Sequence, residues 1–179
     1  MNASARSRFA PRAVEVSYRT DGAIVLRSPI PLDGCERHIC AYLERWAGEA
    51  PRRTFLAQRD HTGEWRHLPY AEAWTRARAI AQALLDRGLG HDRPLAILTA
   101  TSIEHALMTF GAMIAGVPVA PISPAYSASA GGRRRLAEVA AILKPAMICA
   151  QSATALGDVR VMPELAGVPW VTVCASRGG

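Results

Sequence analysis

Lysine is almost missing from this 179-residue chain. Lys144 is the only one, so the net charge of +6 rests on arginine. The arginines are scattered over many segments, and the only run is Arg133–Arg135. No aromatic residues interleave with them in a nucleic-acid-binding motif, so the basic balance reads as composition rather than a nucleic-acid surface. The four cysteines, Cys35, Cys40, Cys149 and Cys174, form no CxxC pair, and no Cys/His group has zinc-site spacing. Reduced thiols fit a cytoplasmic protein, and Cys149 and Cys174 lie in apolar, strand-like runs as small core residues. No apolar stretch follows the basic start, which excludes a secretory signal there. The longest apolar run, Ala106–Ile122, falls short of the ~20 residues of a membrane span and is broken by Gly116 and Pro118. It reads as a buried helix followed by a buried strand.

Several chemical signatures are also absent. There is no GxGxxG turn, no GxxxxGK[ST] loop, no GxSxG elbow and no HExxH helix. A dinucleotide-binding turn, a P-loop, a hydrolase nucleophile and a zinc protease therefore have no support. Half of the residues are hydrophobic and a fifth are charged, which is globular composition.

What is present is alternation of strand and helix. Ala13–Arg19 and Ala23–Arg27 flank Asp21-Gly22, a hairpin signal. Proline breaks the next segment, Ser28–Gly34. Ile39, Leu43 and Trp46 then give a narrow apolar stripe, predicting a surface-packed helix over Cys35–Gly48. Thr54–Arg59 and Glu64–Leu68 form a second hairpin, with Trp65 expected beneath it. Tyr70–Arg87 repeats apolar residues at 3.6 spacing, and Gly88 closes the helix. Arg93–Tyr126 reads as strand (Leu95–Leu98), helix from Ser102, and strand (Val117–Pro121), a parallel βαβ unit. A Ser/Ala/Gly-rich loop, Ser123–Gly132, precedes a helix from Arg133 to Lys144 that Pro145 stops. Met147–Ala150 and Trp170–Cys174 are two further strands, with a short helix around Pro163–Ala166. The expected architecture is α/β: an open, mainly parallel sheet with helices packed on it, preceded by β-hairpins.

Ligands of such sheets bind outside the carboxyl ends of the strands. Topology places Glu104 and His105 there, at the start of the central helix, and Ser123 and Tyr126 past the next strand. His105 reads either as a ligand contact or as a histidine packed beside a helix-start glutamate. Tyr126 reads either as a substrate contact or as a packing aromatic. Gly131-Gly132 before three arginines reads as a phosphate cradle or as an ordinary helix start. No nucleophile with a recognisable partner is visible.

Eight segments carry a family resemblance: RFAPRAVEV (Arg8–Val16), LRSPIPL (Leu26–Leu32), TFLAQRD (Thr54–Asp60), IAQALLDRGL (Ile80–Leu89), RPLAIL (Arg93–Leu98), SIEHAL (Ser102–Leu107), GAMIAGVPVAPISPAYS (Gly111–Ser127) and LKPAMICA (Leu143–Ala150). In this order they resemble the N-terminal part of AMP-forming acid–CoA ligases, the adenylate-forming superfamily. SIEHAL with APISPAYS points to the feruloyl-CoA synthase branch. The resemblance implies a two-step reaction: a hydroxycinnamate-type carboxylic acid is adenylated with ATP and Mg²⁺, and CoA then displaces AMP.

Members also carry a Ser/Thr/Gly-rich phosphate loop ending in lysine, an adenine segment, a ribose-binding Asp and a C-terminal catalytic lysine. None of these matches a stretch of this chain, and Thr101 stands where members usually have Asn. The implied organisation is a loose tail over 1–12, an incomplete N-terminal subdomain over 13–174 and a truncated tail over 175–179. The expected binders are the acid, ATP and CoA, with the remainder of a split ligase as partner and neither nucleic acid nor membrane. His105, Ser123 and Tyr126 are the candidate substrate-binding residues, and no catalytic or metal residue is assigned. A non-catalytic module that assembles with a partner chain and a small stand-alone α/β ligand-binding protein remain the alternatives.

Overall fold

The computed structural model describes residues 13–31, 34–152 and 154–173. The chain divides into two units, residues 1–37 and 38–179. In the first, β1 (Glu15–Tyr18) pairs antiparallel with β2 (Ile24–Arg27). Asp21 and a positive-φ Gly22 make the turn, with the Asp21 carboxylate accepting from the Ala23 N–H.

The second unit opens with α1 (Ile39–Glu49), four residues later than the periodicity suggests. His38 sets that start, because its Nδ1 accepts from the Ala41 N–H. The hairpin β3 (Thr54–Arg59) and β4 (Trp65–Pro69) follows. Asp60 knots its turn by accepting from the Thr62 hydroxyl and from the Thr62 and Glu64 N–H groups. These bonds, the Thr62 hydroxyl first, hold its carboxyl below the usual range. Trp65 does not lie beneath this hairpin. It is 54% exposed, and the Arg59 guanidinium stands 4.9 Å from the ring centroid. The inward positions are taken by Leu56 and the buried Leu68, so cation–π contact covers the ring from outside.

Helix α2 (Tyr70–Leu85) leads to β5 (Leu95–Leu98), α3 (Ile103–Ile114) and β6 (Val119–Pro121). A single helical turn, α4 (Ala125–Ala128), occupies the expected loop. Helix α5 (Ala130–Leu143) begins three residues earlier than expected because Ser129 caps it through the Gly132 N–H. It ends on Lys144 in the left-handed region, φ 47°, before Pro145. Strand β7 (Met147–Ala150), two 3₁₀ segments (Thr154–Val161 and Pro163–Leu165) and β8 (Trp170–Thr172) complete the described unit. Cys174 lies outside the described residues.

The sheet is four-stranded and wholly parallel, in the order β6-β5-β7-β8. All four residues of β5 and of β7 are buried, as expected of parallel strands covered on both faces. Their side chains alternate. Leu95, Ile97, Met147 and Cys149 join α2 and α3 in one core cluster, while Ala96, Leu98, Ile148 and Ala150 join α5 and the 3₁₀ segments in another. A third cluster packs α1, α2 and α3 against the β3–β4 hairpin through Leu43, Leu68, Ala73, Ala77, Ile103 and Leu107. Helices α2 and α3 both stop by the same device. Gly88 and Gly116 take positive φ, and the next N–H returns to the carbonyl five residues back (Leu89 to Leu84, Val117 to Ala112).

Burial makes Cys149 inert and pushes its thiol up to about 11. Iodoacetamide at neutral pH is therefore expected to label the exposed Cys35 and to spare Cys40 and Cys149 until the chain unfolds, read by peptide mass spectrometry. An unfolded thiol ionises near 9.0 and the folded Cys149 near 11. The protonated thiol thus favours the folded state at every pH below 9, and this stabilisation is lost as pH rises from 9 through 11. Cys149→Ala should flatten that alkaline fall in the melting temperature.

Candidate functional site

The chain runs from β5 outward to β6, crosses back to β7, and continues to β8 on the other side. The connection after β5 lies on the α2–α3 face, and the one after β7 lies on the opposite face. The carboxyl ends of β5 and β7 therefore flank a topological switch point, where open α/β sheets bind ligands.

Thr99 and Gln151 follow these strands by one residue. The pairing Leu98 with Ala150 sets them in the same row. Thr99 is buried, and its hydroxyl lies 2.8 Å from His105 Nδ1. Buried Gln151 Oε1 has no hydrogen-bond partner among the described protein atoms. On the β6 side the Ile122 N–H donates to the Ile97 carbonyl, which brings Ser123 into the same row as Thr99.

The front of α3 is held from three directions. Ser102 Oγ accepts from the His105 N–H at 3.0 Å, and Gln58 Oε1 of β3 accepts from the Ile103 N–H at 2.7 Å. Arg66 of β4 donates to the Glu104 carboxylate at 2.6 Å, and that carboxylate is only 11% exposed. Glu104 also lies in the first turn, where the helix dipole favours negative charge. Its place is thus a clamp between hairpin and helix. With the N–H groups of Ile103, His105 and Ala106 engaged, this helix end offers little to an anion.

The candidate residues separate. His105 lies on the α3 side at the rim, and exposed Ser123 lies at the end of β6. Tyr126 packs, half-buried, against the α5-face cluster of Ala96 and Leu98, while its N–H donates to the Ser123 carbonyl. His105 and Tyr126 therefore stand on opposite faces of the sheet. Gly132 has a packing reason. A Cβ there would come within 2.9 Å of the Ala125 carbonyl and of the Tyr126 backbone, so only glycine allows α5 to start against α4. Its N–H is spent on Ser129.

Thr99, Gln58, Arg66 and Gln151 were not among the residues that sequence reasoning singled out. Thr99 and Gln151 carry one usable signal: each is the first polar residue after a buried apolar run. Gln58 and Arg66 carry none, because their partners lie 45 and 38 residues away. Among the described residues there is no group of three or more His, Cys, Asp or Glu that could hold a metal ion. Nor is any helix among them long and apolar enough to cross a membrane.

A model of the AMP-binding enzyme family matches residues 43–166. The chain belongs to that family. Among solved structures, this AMP-binding chain is similar to a fatty acid AMP ligase from Legionella pneumophila, with 16% identity and a TM-score of 0.63 over 74% of this chain and 22% of that one. It is similar to a fatty acyl CoA synthetase from Mycobacterium tuberculosis, with 18% identity and a TM-score of 0.60 over 73% and 25%. It is also similar to the N-terminal subdomain of NpsA from Klebsiella oxytoca, with 21% identity and a TM-score of 0.53 over 65% and 28%. The AMP-binding chain thus has the fold of the N-terminal domain of adenylate-forming ligases and spans about a quarter of their length. No curated protein sequence matches it.

Proposed function

We propose that this chain is the N-terminal part of an acid–CoA ligase of the feruloyl-CoA synthase type, inactive alone and competent when the rest of the ligase is supplied. In the reaction the resemblance implies, a carboxylate oxygen attacks the α-phosphorus of ATP. An O–P bond forms, the α–β bridge breaks and pyrophosphate leaves. The sulfur of CoA then attacks the acyl carbon, AMP departs with the electron pair, and the thiol proton goes to solvent. Adenylation is needed because a free carboxylate is a poor electrophile. Charge on the transferred oxygens must be met by donors and metal, and the phosphate loop that would supply them has no counterpart in this sequence.

The observation that supports the reading is the polar row at the switch point of an AMP-binding-family sheet, Ser123, Thr99 with His105, and Gln151. In this reading His105 and Ser123 rim the carboxylic-acid side. Tyr126 holds the Ser123 turn by packing behind it. The chain contributes the scaffold and this rim, in the cytoplasm, and the adenylation chemistry comes from the remaining polypeptide.

Pyrophosphate–ATP exchange with ferulate and Mg²⁺ is the test. The purified chain is expected to give none, and the chain combined with the complementary part of the ligase is expected to give exchange. In that assembly His105→Ala should raise KM for the acid more than it lowers kcat. Exchange by the chain alone would sink the claim of incompetence. Preference of the assembly for decanoate over ferulate would sink the hydroxycinnamate assignment.

A further inference from the structure

Thr99 is the one polar or charged residue that is buried among the described residues. It follows β5 at the switch point. The alternation that turns Leu95 and Ile97 toward α2 and α3 turns Thr99 there too. Its hydroxyl has a single partner among the described residues, His105 Nδ1 at 2.8 Å. The backbone of His105 is pinned as well: its N–H donates to Ser102 Oγ, and its carbonyl accepts from the Thr109 hydroxyl. Glu104, the neighbour that could otherwise orient the ring, is engaged by Arg66. The other ring nitrogen, Nε2, has no partner among the described residues. The only buried side-chain polar atom without one among them is Gln151 Oε1, so Nε2 reaches solvent at the rim.

We infer that Thr99 is a positioning residue. Its hydroxyl donates to His105 Nδ1 and fixes the neutral ring with its proton on Nε2, where that N–H serves as a donor to a carboxylate oxygen of the acid. The inference rests on the proposed function for the identity of this ligand. The direction of the Thr99 bond follows from burial. A threonine hydroxyl has one proton and two lone pairs, and a neutral imidazole has one N–H and one bare nitrogen. Were Thr99 to accept from an Nδ1–H, its own proton would have no acceptor among the described groups, and a buried donor left unmade is costly. When Thr99 donates, only a lone pair goes unfilled, which is the milder loss. The bond made at one ring nitrogen then decides what the other presents. With Nδ1 accepting, the rim offers an N–H, which suits an anionic oxygen and not a cation or a second donor. A carboxylate and a phosphate share that chemistry. The carboxylate is favoured because the N–H groups at the start of α3, the usual cradle for phosphate, are already engaged.

The test is nitrogen NMR of the isotope-labelled histidines in the intact chain at about pH 8.5, where free imidazole is neutral. The His105 signals are identified by their loss in His105→Gln. In the parent chain Nδ1 is expected at a pyridine-type shift and Nε2 at a pyrrole-type shift, with no averaging between them. Thr99→Val keeps the shape and removes the donor, so both shifts should move toward the averaged values of free imidazole. Thr99→Ser keeps the hydroxyl and should restore the parent pattern, with melting curves confirming that both variants fold. In the ligase reassembled from this chain and its complement, Thr99→Val should raise KM for ferulate roughly three- to tenfold, the loss of about one hydrogen bond. KM for ATP and kcat should stay within about twofold. A proton on Nδ1 in the parent chain overturns the inference, as do spectra that Thr99→Val leaves unchanged or that Thr99→Ser fails to restore. It is equally overturned if KM for ATP rises in place of KM for ferulate, which would make the ligand a phosphate. The spectra are read on the chain by itself, so they decide the role of Thr99 even where reconstitution gives no exchange. An unchanged KM for ferulate in an active assembly overturns the inference and leaves the proposed function standing.

Discussion

Gly111→Ala should lower the melting temperature of the chain by several degrees, and Gly111→Val should leave little folded protein. Gly111 faces α2 from the middle of α3. A Cβ built there would lie 2.5 Å from Ile80 Cγ2, 2.7 Å from Ile80 Cβ and 3.0 Å from the Ala77 carbonyl oxygen. Two of these atoms are at or next to backbone, so the contact cannot be relieved by turning a rotamer. Alanine would gain ~1 kcal/mol of helix propensity over glycine. Overpacking of this kind costs about 1–3 kcal/mol, and more where helix axes must part. In a domain of this size each kcal/mol moves the melting temperature by ~2–4 °C. Ile80→Ala in the same chain should recover part of the loss, with a coupling of about 0.5 kcal/mol or more. A Gly111→Ala chain as stable as the parent would show that α2 and α3 are not held at this distance.

Arg66→Ala should cost about 2–3 kcal/mol in urea unfolding, more than Glu104→Gln. The two partners are unequal. Glu104 is 11% exposed and Arg66 is 33% exposed. Removing the arginine strands a carboxylate that water reaches poorly, and an unpaired buried charge is the costly outcome. Removing the carboxylate charge leaves a guanidinium that rehydrates. The double variant R66A/E104Q should therefore be more stable than R66A alone. Added salt should change little, since a 2.6 Å pair with one shielded partner is weakly screened. Equal losses from both single variants would contradict the assigned asymmetry.

The elements these predictions act on differ in how readable they were. Leu95–Leu98 and Met147–Ala150 announce themselves as buried strands by being apolar throughout. The helical spacing of Ala73, Ala77, Ala81 and Leu84 announces α2. The ends of α2 and α3 were legible because glycine takes the positive φ found at Gly88 and Gly116 with least cost. The start of α1 was not, because His38 caps with a ring nitrogen rather than the commoner Ser, Thr, Asp or Asn. Trp65 was misplaced by pattern: alternation gives two faces but does not say which is inner, and Leu68 took the inner one. At the candidate site the sequence placed His105 and Ser123 at the carboxyl rim. It could not reveal that Tyr126 belongs to the other face, nor that Gln58 and Arg66 grip the front of α3. Such contacts carry no local periodicity, and only the fold brings them together.

The grip of the hairpin on α3 has a consequence for the order of events in folding. Gln58 and Arg66 are synthesised before Ile103 and Glu104, so the side chains that hold the front of α3 precede the helix in the order of synthesis. A circular permutation that begins the chain at α2 would reverse that order of synthesis.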